Sequence, residues 1–173
     1  AQRLRVSVIE RYPHDPTAFT EGLLLADGVL YESTGLEGAS TVRRVELRTG
    51  AVVASRAQPA DVFGEGLALV GDELIQLSWR NGLAFTYDRD TLEPVRQFRY
   101  TGEGWGLCYD GRSLWQSDGT ATLRRRDPAT FEQLGAVDVR DGAAAVVNLN
   151  ELECVDGAIY ANVWLTSELV RID

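Results

Sequence analysis

The sequence predicts an all-β protein built as a β-propeller. One segment recurs four times, a turn signal stands behind every copy, and no convincing helix interrupts the pattern. The copies align without gaps as Thr20-Glu21-Gly22-Leu23-Leu24-Leu25, Gly64-Glu65-Gly66-Leu67-Ala68-Leu69, Gly104-Trp105-Gly106-Leu107-Cys108-Tyr109 and Asn150-Glu151-Leu152-Glu153-Cys154-Val155. Measured at Glu21, Glu65, Trp105 and Glu151 they lie 44, 40 and 46 positions apart, the period of a blade of four short strands.

Asp27-Gly28, Gly71-Asp72, Asp110-Gly111 and Asp156-Gly157 predict a hairpin in every unit. Second strands rich in β-formers follow at Val29 to Glu32, Glu73 to Leu77, Ser113 to Gln116 and Ala158 to Trp164. Third strands are expected at Thr41 to Leu47, Leu83 to Asp88, Thr122 to Asp127 and Ser167 to Asp173, and fourth strands at Ala51 to Arg56, Pro94 to Tyr100 and Gln133 to Arg140. Leu4 to Glu10 has no hairpin partner nearby, which suits a terminal strand completing the last blade of a longer ring. The reading is therefore a single propeller domain over 1–173, cut before its closing blade. An ordinary β-sandwich is the competing architecture, and the aligned turns disfavour it.

A net charge of −9 argues against a nucleic-acid partner, whose phosphates the overall field repels. The longest apolar run, Ala143 to Val147, is far short of the roughly 18 residues a membrane-spanning helix needs. Arg124-Arg125-Arg126 reads as a solvated strand edge before the turn at Asp127-Pro128. With one histidine, His14, and no Cys-x-x-Cys spacing, no metal site is expected. Cys108 and Cys154 occupy equivalent positions of adjacent units, where a disulfide is conceivable, but buried free thiols are favoured because blades diverge and a bridge needs Cα atoms within about 7 Å. The absence of methionine, even at position 1, suits a chain exported after loss of a signal peptide, hence secreted or periplasmic.

The stretch Tyr12-Pro13-His14-Asp15-Pro16-Thr17-Ala18-Phe19-Thr20-Glu21-Gly22-Leu23 resembles the opening motif of the plant-type glutaminyl cyclases, which also occur in bacteria. Tyr31-Glu32-Ser33-Thr34-Gly35, Phe63-Gly64-Glu65-Gly66, Gln76-Leu77-Ser78-Trp79, Gly102-Glu103-Gly104-Trp105-Gly106-Leu107, Ser117-Asp118-Gly119-Thr120, Leu149-Asn150-Glu151-Leu152-Glu153 and Ala161-Asn162-Val163-Trp164 resemble further family blocks, in the family's order. The resemblance implies a five-bladed propeller, of which this chain covers roughly three and a half blades. It also implies conversion of N-terminal glutamine to 5-oxoproline with release of ammonia, a peptide or protein substrate, no cofactor, and a monomer. Plant members carry glutamine where Glu21 stands, and the family's closing Gly-Lys-aromatic motif has no counterpart before Asp173.

That reaction needs the α-amine to attack its own γ-amide carbon, and a carboxyl within reach of both nitrogens can carry the proton from one to the other. Glu32, on a short strand between Tyr31 and Ser33, resembles the family's catalytic glutamate and is the expected proton carrier. A solvated strand residue is its plainer reading. Glu21 and Glu65 occupy matching inner-strand positions and are expected to line one end of a channel, where such a cluster is suited to hold the substrate ammonium, to stay partly protonated, or to accept backbone donors as a structural device. The resemblance implies Trp79, Trp105, Trp164 and Phe19 as an aromatic wall, where residue type alone favours inter-blade core for the tryptophans, and Asn150 is expected as a partner for the γ-amide, against a reading in which it ends a loop and caps the following strand. Trp115 reads as core. Carboxylates beside tryptophans also suit a glycoside-processing propeller, and a ring fold alone is equally compatible with a non-catalytic peptide binder.

Overall fold

A computed structural model of the protein describes residues 6–173. Each recurring segment is the innermost strand of an antiparallel sheet. Blade one consists of β1 (Thr20–Ala26), β2 (Val29–Thr34), β3 (Thr41–Val45) and β4 (Val52–Ala57), and blade two of β5 (Gly64–Val70), β6 (Glu73–Ser78), β7 (Leu83–Asp88) and β8 (Pro94–Arg99). Blade three consists of β9 (Leu107–Tyr109), β10 (Leu114–Gln116), β11 (Thr122–Arg126) and β12 (Gln133–Asp138). After a small hairpin, β13 (Arg140–Asp141) and β14 (Ala144–Ala145), comes a three-stranded fourth blade of β15 (Leu149–Val155), β16 (Ala158–Val163) and β17 (Leu169–Ile172). The arrangement is a propeller of four blades, and no helix occurs among the described residues.

The turns follow from local chemistry. Asp27 and Gly28, and likewise Asp156 and Gly157, all have positive φ, the geometry whose twist matches a two-residue hairpin and which Asp-Gly adopts readily. Between β7 and β8 the Asp88 carboxylate accepts the amides of Asp90 and Thr91, and Asp127 does the same for Ala129 and Thr130 between β11 and β12. These turns throw Leu92 and Phe131 inward as buried plugs.

The hydrophobic core lies between blades. Tyr31, Val42, Leu67, Leu74 and Tyr87 join blades one and two; Ala68, Ile75, Leu77, Leu107, Leu114 and Phe131 join two and three; Leu123, Leu149, Leu152 and Ala161 join three and four. Side chains alternate along each strand, so a residue next to a core position faces the opposite neighbour. The alternation assigns Glu32, Gln76 and Gln116, which occupy equivalent registers opposite Leu23, Leu67 and Leu107. Gln76 donates to Ser33 and to the Thr41 carbonyl of blade one, and Gln116 to the Glu103 carbonyl ahead of blade three. Each points back toward the preceding blade.

Three expectations need correction. Leu4 and Arg5 lie outside the described residues, and 6–10 form no strand: Val6, Val8 and Ile9 are exposed, and no sheet edge pairs with them. The arginine run is not uniformly solvated. Arg126 is buried, donating to Gln116 and to the Phe131 carbonyl, while Arg124 pairs with Asp118. Cys108 and Cys154 form a disulfide, their Cα atoms 5.5 Å apart, because the inner strands β9 and β15 converge on the axis even though the blades diverge outside it. Trp115 packs beside the cluster between blades three and four and donates to Asp110, in keeping with its expected packing role.

Candidate active site

The site is made at the first residues of the inner strands, where the ladder slips. Pairing shifts register between Thr20 and Gly22, between Gly64 and Leu67, and between Leu149 and Leu152. Each irregularity holds a polar residue or two, namely Glu21, Glu65, and Asn150 with Glu151, and such a bulge re-aims side chains out of the regular alternation. Glycines let the inner strands close in at this level. A β-carbon on Gly66 would sit 2.5 Å from the Leu107 nitrogen, and one on Gly106 would sit 2.8 Å from the Leu152 nitrogen. Hydrogen bonds complete the collar: Ser33 donates to the Glu65 carbonyl, Gly66 N to the Trp105 carbonyl at 2.7 Å, and Ser117 to the Asn150 carbonyl at 2.6 Å.

Crowding carboxyls onto one ring of backbone has an electrostatic consequence. Burial pushes Glu65 up, the nearby Glu21 and Glu103 push it further, and it titrates at about 10. Glu21 is raised to about 7 by burial, as is Glu153. Glu151 is raised well above its ordinary value by burial first and then by Glu153, Glu65 and Glu21, against the lowering effect of a backbone hydrogen bond from Leu152, and both its oxygens are buried. At neutral pH Glu65 therefore carries its proton and Glu21 is poised to exchange one. Glu21, Asn150, Glu151, Glu153, Tyr160 and Asn162 also line a cavity of about 420 Å³ between β1 and blade four, within the size range of small-ligand sites.

The aromatic residues form one belt. Phe19 meets Phe63 edge-on at 5.9 Å, and Phe63 meets Trp79 at 5.6 Å. Trp79 and Trp105 each donate an indole N–H to Oε2 of Glu103, at 2.8 and 3.0 Å, and Trp105 meets Trp164 at 5.4 Å. All four aromatic residues expected from the sequence thus fall in a single chain of contacts. Trp164 keeps 47% of its surface exposed, so this is an open wall more than a core.

Glu32 lies elsewhere. Its face is the one opposite Tyr31 and Ser33, away from blade two, and it is only 1% exposed. Oε1 accepts from Thr20 at 2.6 Å and contacts His14 Nε2 at 2.8 Å, while Arg43 stands 3.7 Å from Oε2. Arg43 in turn donates to Asp15 at 3.0 Å. This network fastens the Tyr12–Phe19 stretch to blade one.

Phe63, Glu103, Glu151 and Glu153 were not singled out from sequence. Glu151 was within reach, since it takes in the fourth repeat the place of Glu21 and Glu65. Glu103, between two glycines and two residues before Trp105, had no repeat partner to betray it.

Fold and site together define a class: a β-propeller whose inner strands carry buried carboxyls, raised above their ordinary values, beside a wall of tryptophan. The family model for glutamine cyclotransferase matches residues 1–173. The glutaminyl-peptide cyclotransferase of Arabidopsis thaliana is 45% identical over 169 residues, 96% of this chain and 53% of the plant protein, so the chain spans about half that relative's length. A crystal structure of Myxococcus xanthus glutaminyl cyclase superposes with a TM-score of 0.90 at 41% identity, over 96% of this chain and 71% of that one. The WD40 domain of Neurospora crassa Pan2 matches with a TM-score of 0.64 at 12% identity, over 88% of this chain and 46% of that one, a likeness of fold alone. The chain belongs to the glutamine cyclotransferase family.

Proposed function

We propose that the protein is a glutaminyl-peptide cyclotransferase that converts N-terminal glutamine to 5-oxoproline and releases ammonia, and that Glu65 carries the proton. The observation behind this reading is a buried, neutral carboxyl set among Glu21, Glu103 and the tryptophan wall. The α-amine attacks the γ-amide carbon, forming the ring C–N bond. Glu65 gives its proton to the amide nitrogen and takes one from the attacking nitrogen. The exocyclic C–N bond then breaks, ammonia leaves, and the acid is back in its starting state. Glu21, titrating near 7, accepts the proton that an incoming α-ammonium must first shed. Phe19, Trp79, Trp105 and Trp164 surround the head group and exclude water, and Asn150 hydrogen-bonds the γ-amide.

Glu32, the proton carrier expected from sequence, is reassigned in this reading as the anchor of the leading segment, because Thr20 and His14 engage its Oε1 and Arg43 stands beside its Oε2. The complete ring has five blades in this proposal, since the bacterial structure extends beyond the part this chain matches. The Cys108–Cys154 bridge supports an oxidising, secreted or periplasmic setting. The substrates are peptides or proteins beginning with glutamine, processed by a monomer without a cofactor.

The test is ammonia release by the intact protein from a short peptide starting with glutamine, against the same peptide N-acetylated. Release from the free peptide alone is expected, with Glu65→Gln inactive and Glu32→Gln retaining turnover. Absence of release from the intact protein overturns the reading, and the opposite ranking of the two variants overturns the assignment of Glu65.

A further inference from the structure

Two walls of the aromatic cup meet at one oxygen atom. Oε2 of Glu103 accepts both the Trp79 and the Trp105 indole N–H, and Oε1 accepts Arg80 Nε at 3.3 Å. The Arg80 guanidinium lies 3.5 Å from the centroid of the Trp79 ring, so the cation, the carboxylate and the first indole brace one another. Trp79 follows β6 of blade two and Trp105 precedes β9 of blade three, so this single carboxylate ties tryptophans from different blades. Behind them, Phe63 supports Trp79 and Trp164 supports Trp105, and neither contact fixes the angle between the two halves of the belt. A backbone hydrogen bond from Gly104 N to the Trp79 carbonyl, at 3.0 Å, joins the two segments, and the shared oxygen joins the two indoles themselves.

We propose that Glu103 is a positioning residue of the cyclisation site, setting the separation of the Trp79 and Trp105 walls through its shared oxygen and standing as a fixed negative charge beside Glu65. The proposal rests on the cyclase reading above and adds a specific residue to it. Neither acid nor base is asked of Glu103. Burial opposes its charge, but the hydrogen bonds from Trp105 and Trp79 and that from Arg80 together outweigh burial and hold its carboxyl below the ordinary value. Two neighbouring carboxyls are thereby driven apart, one ionised and one neutral, which divides the roles between them. The charged and titratable groups around Glu65 are Glu21 from β1, Glu151 from β15, Tyr100 after β8, and Glu103 itself, with Arg80 on the far side of Glu103.

Charge and geometry can be separated with two variants of the intact protein. Glu103→Gln keeps an oxygen for the indoles and loses the charge; Glu103→Leu loses both. In the first, KM stays within about threefold of the parent, while the alkaline limb of the kcat profile moves to lower pH, because Glu65 gives up its proton more easily. In the second, KM rises about tenfold or more as the walls part, and the limb moves as well. Indole 15N–1H resonances, assigned to Trp79 and Trp105 by single Trp→Phe changes, report the clamp without any turnover: both shift in Glu103→Leu. Unmoved indole resonances in Glu103→Leu overturn the clamp, and an unmoved alkaline limb in Glu103→Gln overturns the electrostatic half. If the parent protein releases no ammonia, the cyclase reading fails by itself, and the resonances still decide whether Glu103 sets the geometry.

Discussion

Replacing Glu65 by glutamine should remove activity and strengthen the fold at once. The native carboxyl titrates at about 10, whereas in an unfolded chain it would titrate near its ordinary 4.5. Between those values the unfolded state has released a proton that the native state retains, so the unfolded state binds fewer protons and stability falls as pH rises. At pH 7 the gap from 4.5 corresponds to about 3 kcal/mol of destabilisation, taking about 1.4 kcal/mol for each pH unit. A neutral glutamine of the same shape escapes this cost. The assay is urea unfolding of parent and variant from about pH 4.5 to 8, beside ammonia release at the same values. The variant should gain up to about 3 kcal/mol at pH 7 and almost nothing near pH 4.5, with ammonia release abolished. A variant less stable than the parent at pH 7, or one that still turns over, refutes the account of Glu65 as a buried neutral acid.

Three further outcomes are expected. Gly66→Ala places a β-carbon 2.5 Å from the Leu107 nitrogen, backbone that cannot step aside, and should cost about 1–3 kcal/mol in denaturant unfolding with a loss of kcat, since the collar beneath Glu65 must open. Cys108→Ser with Cys154→Ser removes a bridge between residues 46 apart and should lower stability by about 2–4 kcal/mol, read as a midpoint shift that reductant reproduces in the parent. Glu32→Ala removes the acid beside Arg43 in blade one and frees His14 and Thr20. It should cost about 1–3 kcal/mol and speed proteolysis of the Tyr12–Phe19 stretch.

The propeller was legible because its signals are local and repeated. Asp-Gly turns, the alternating strands and the Glu-Gly step at Glu21-Gly22 and Glu65-Gly66 each need only a few neighbouring residues to take effect, and recurrence near every 40 to 46 positions left little freedom of architecture. Phe19, Trp79, Trp105 and Trp164 are named as a wall through the family resemblance, since residue type and position alone favour packing between blades for the tryptophans. Tertiary structure alone sets the surroundings of each carboxyl. In one dimension Glu32 and Glu65 are both acids on short strands; in three, alternation along β2 turns Glu32 toward His14 and Arg43, while the bulge in β5 turns Glu65 into a ring of other acids. The disulfide was only conceivable from sequence, and the Glu103 clamp hidden, for the same cause: both join residues of different blades, and the distance between inner strands is set by how the blades converge on a common axis, a property that no single stretch of chain contains.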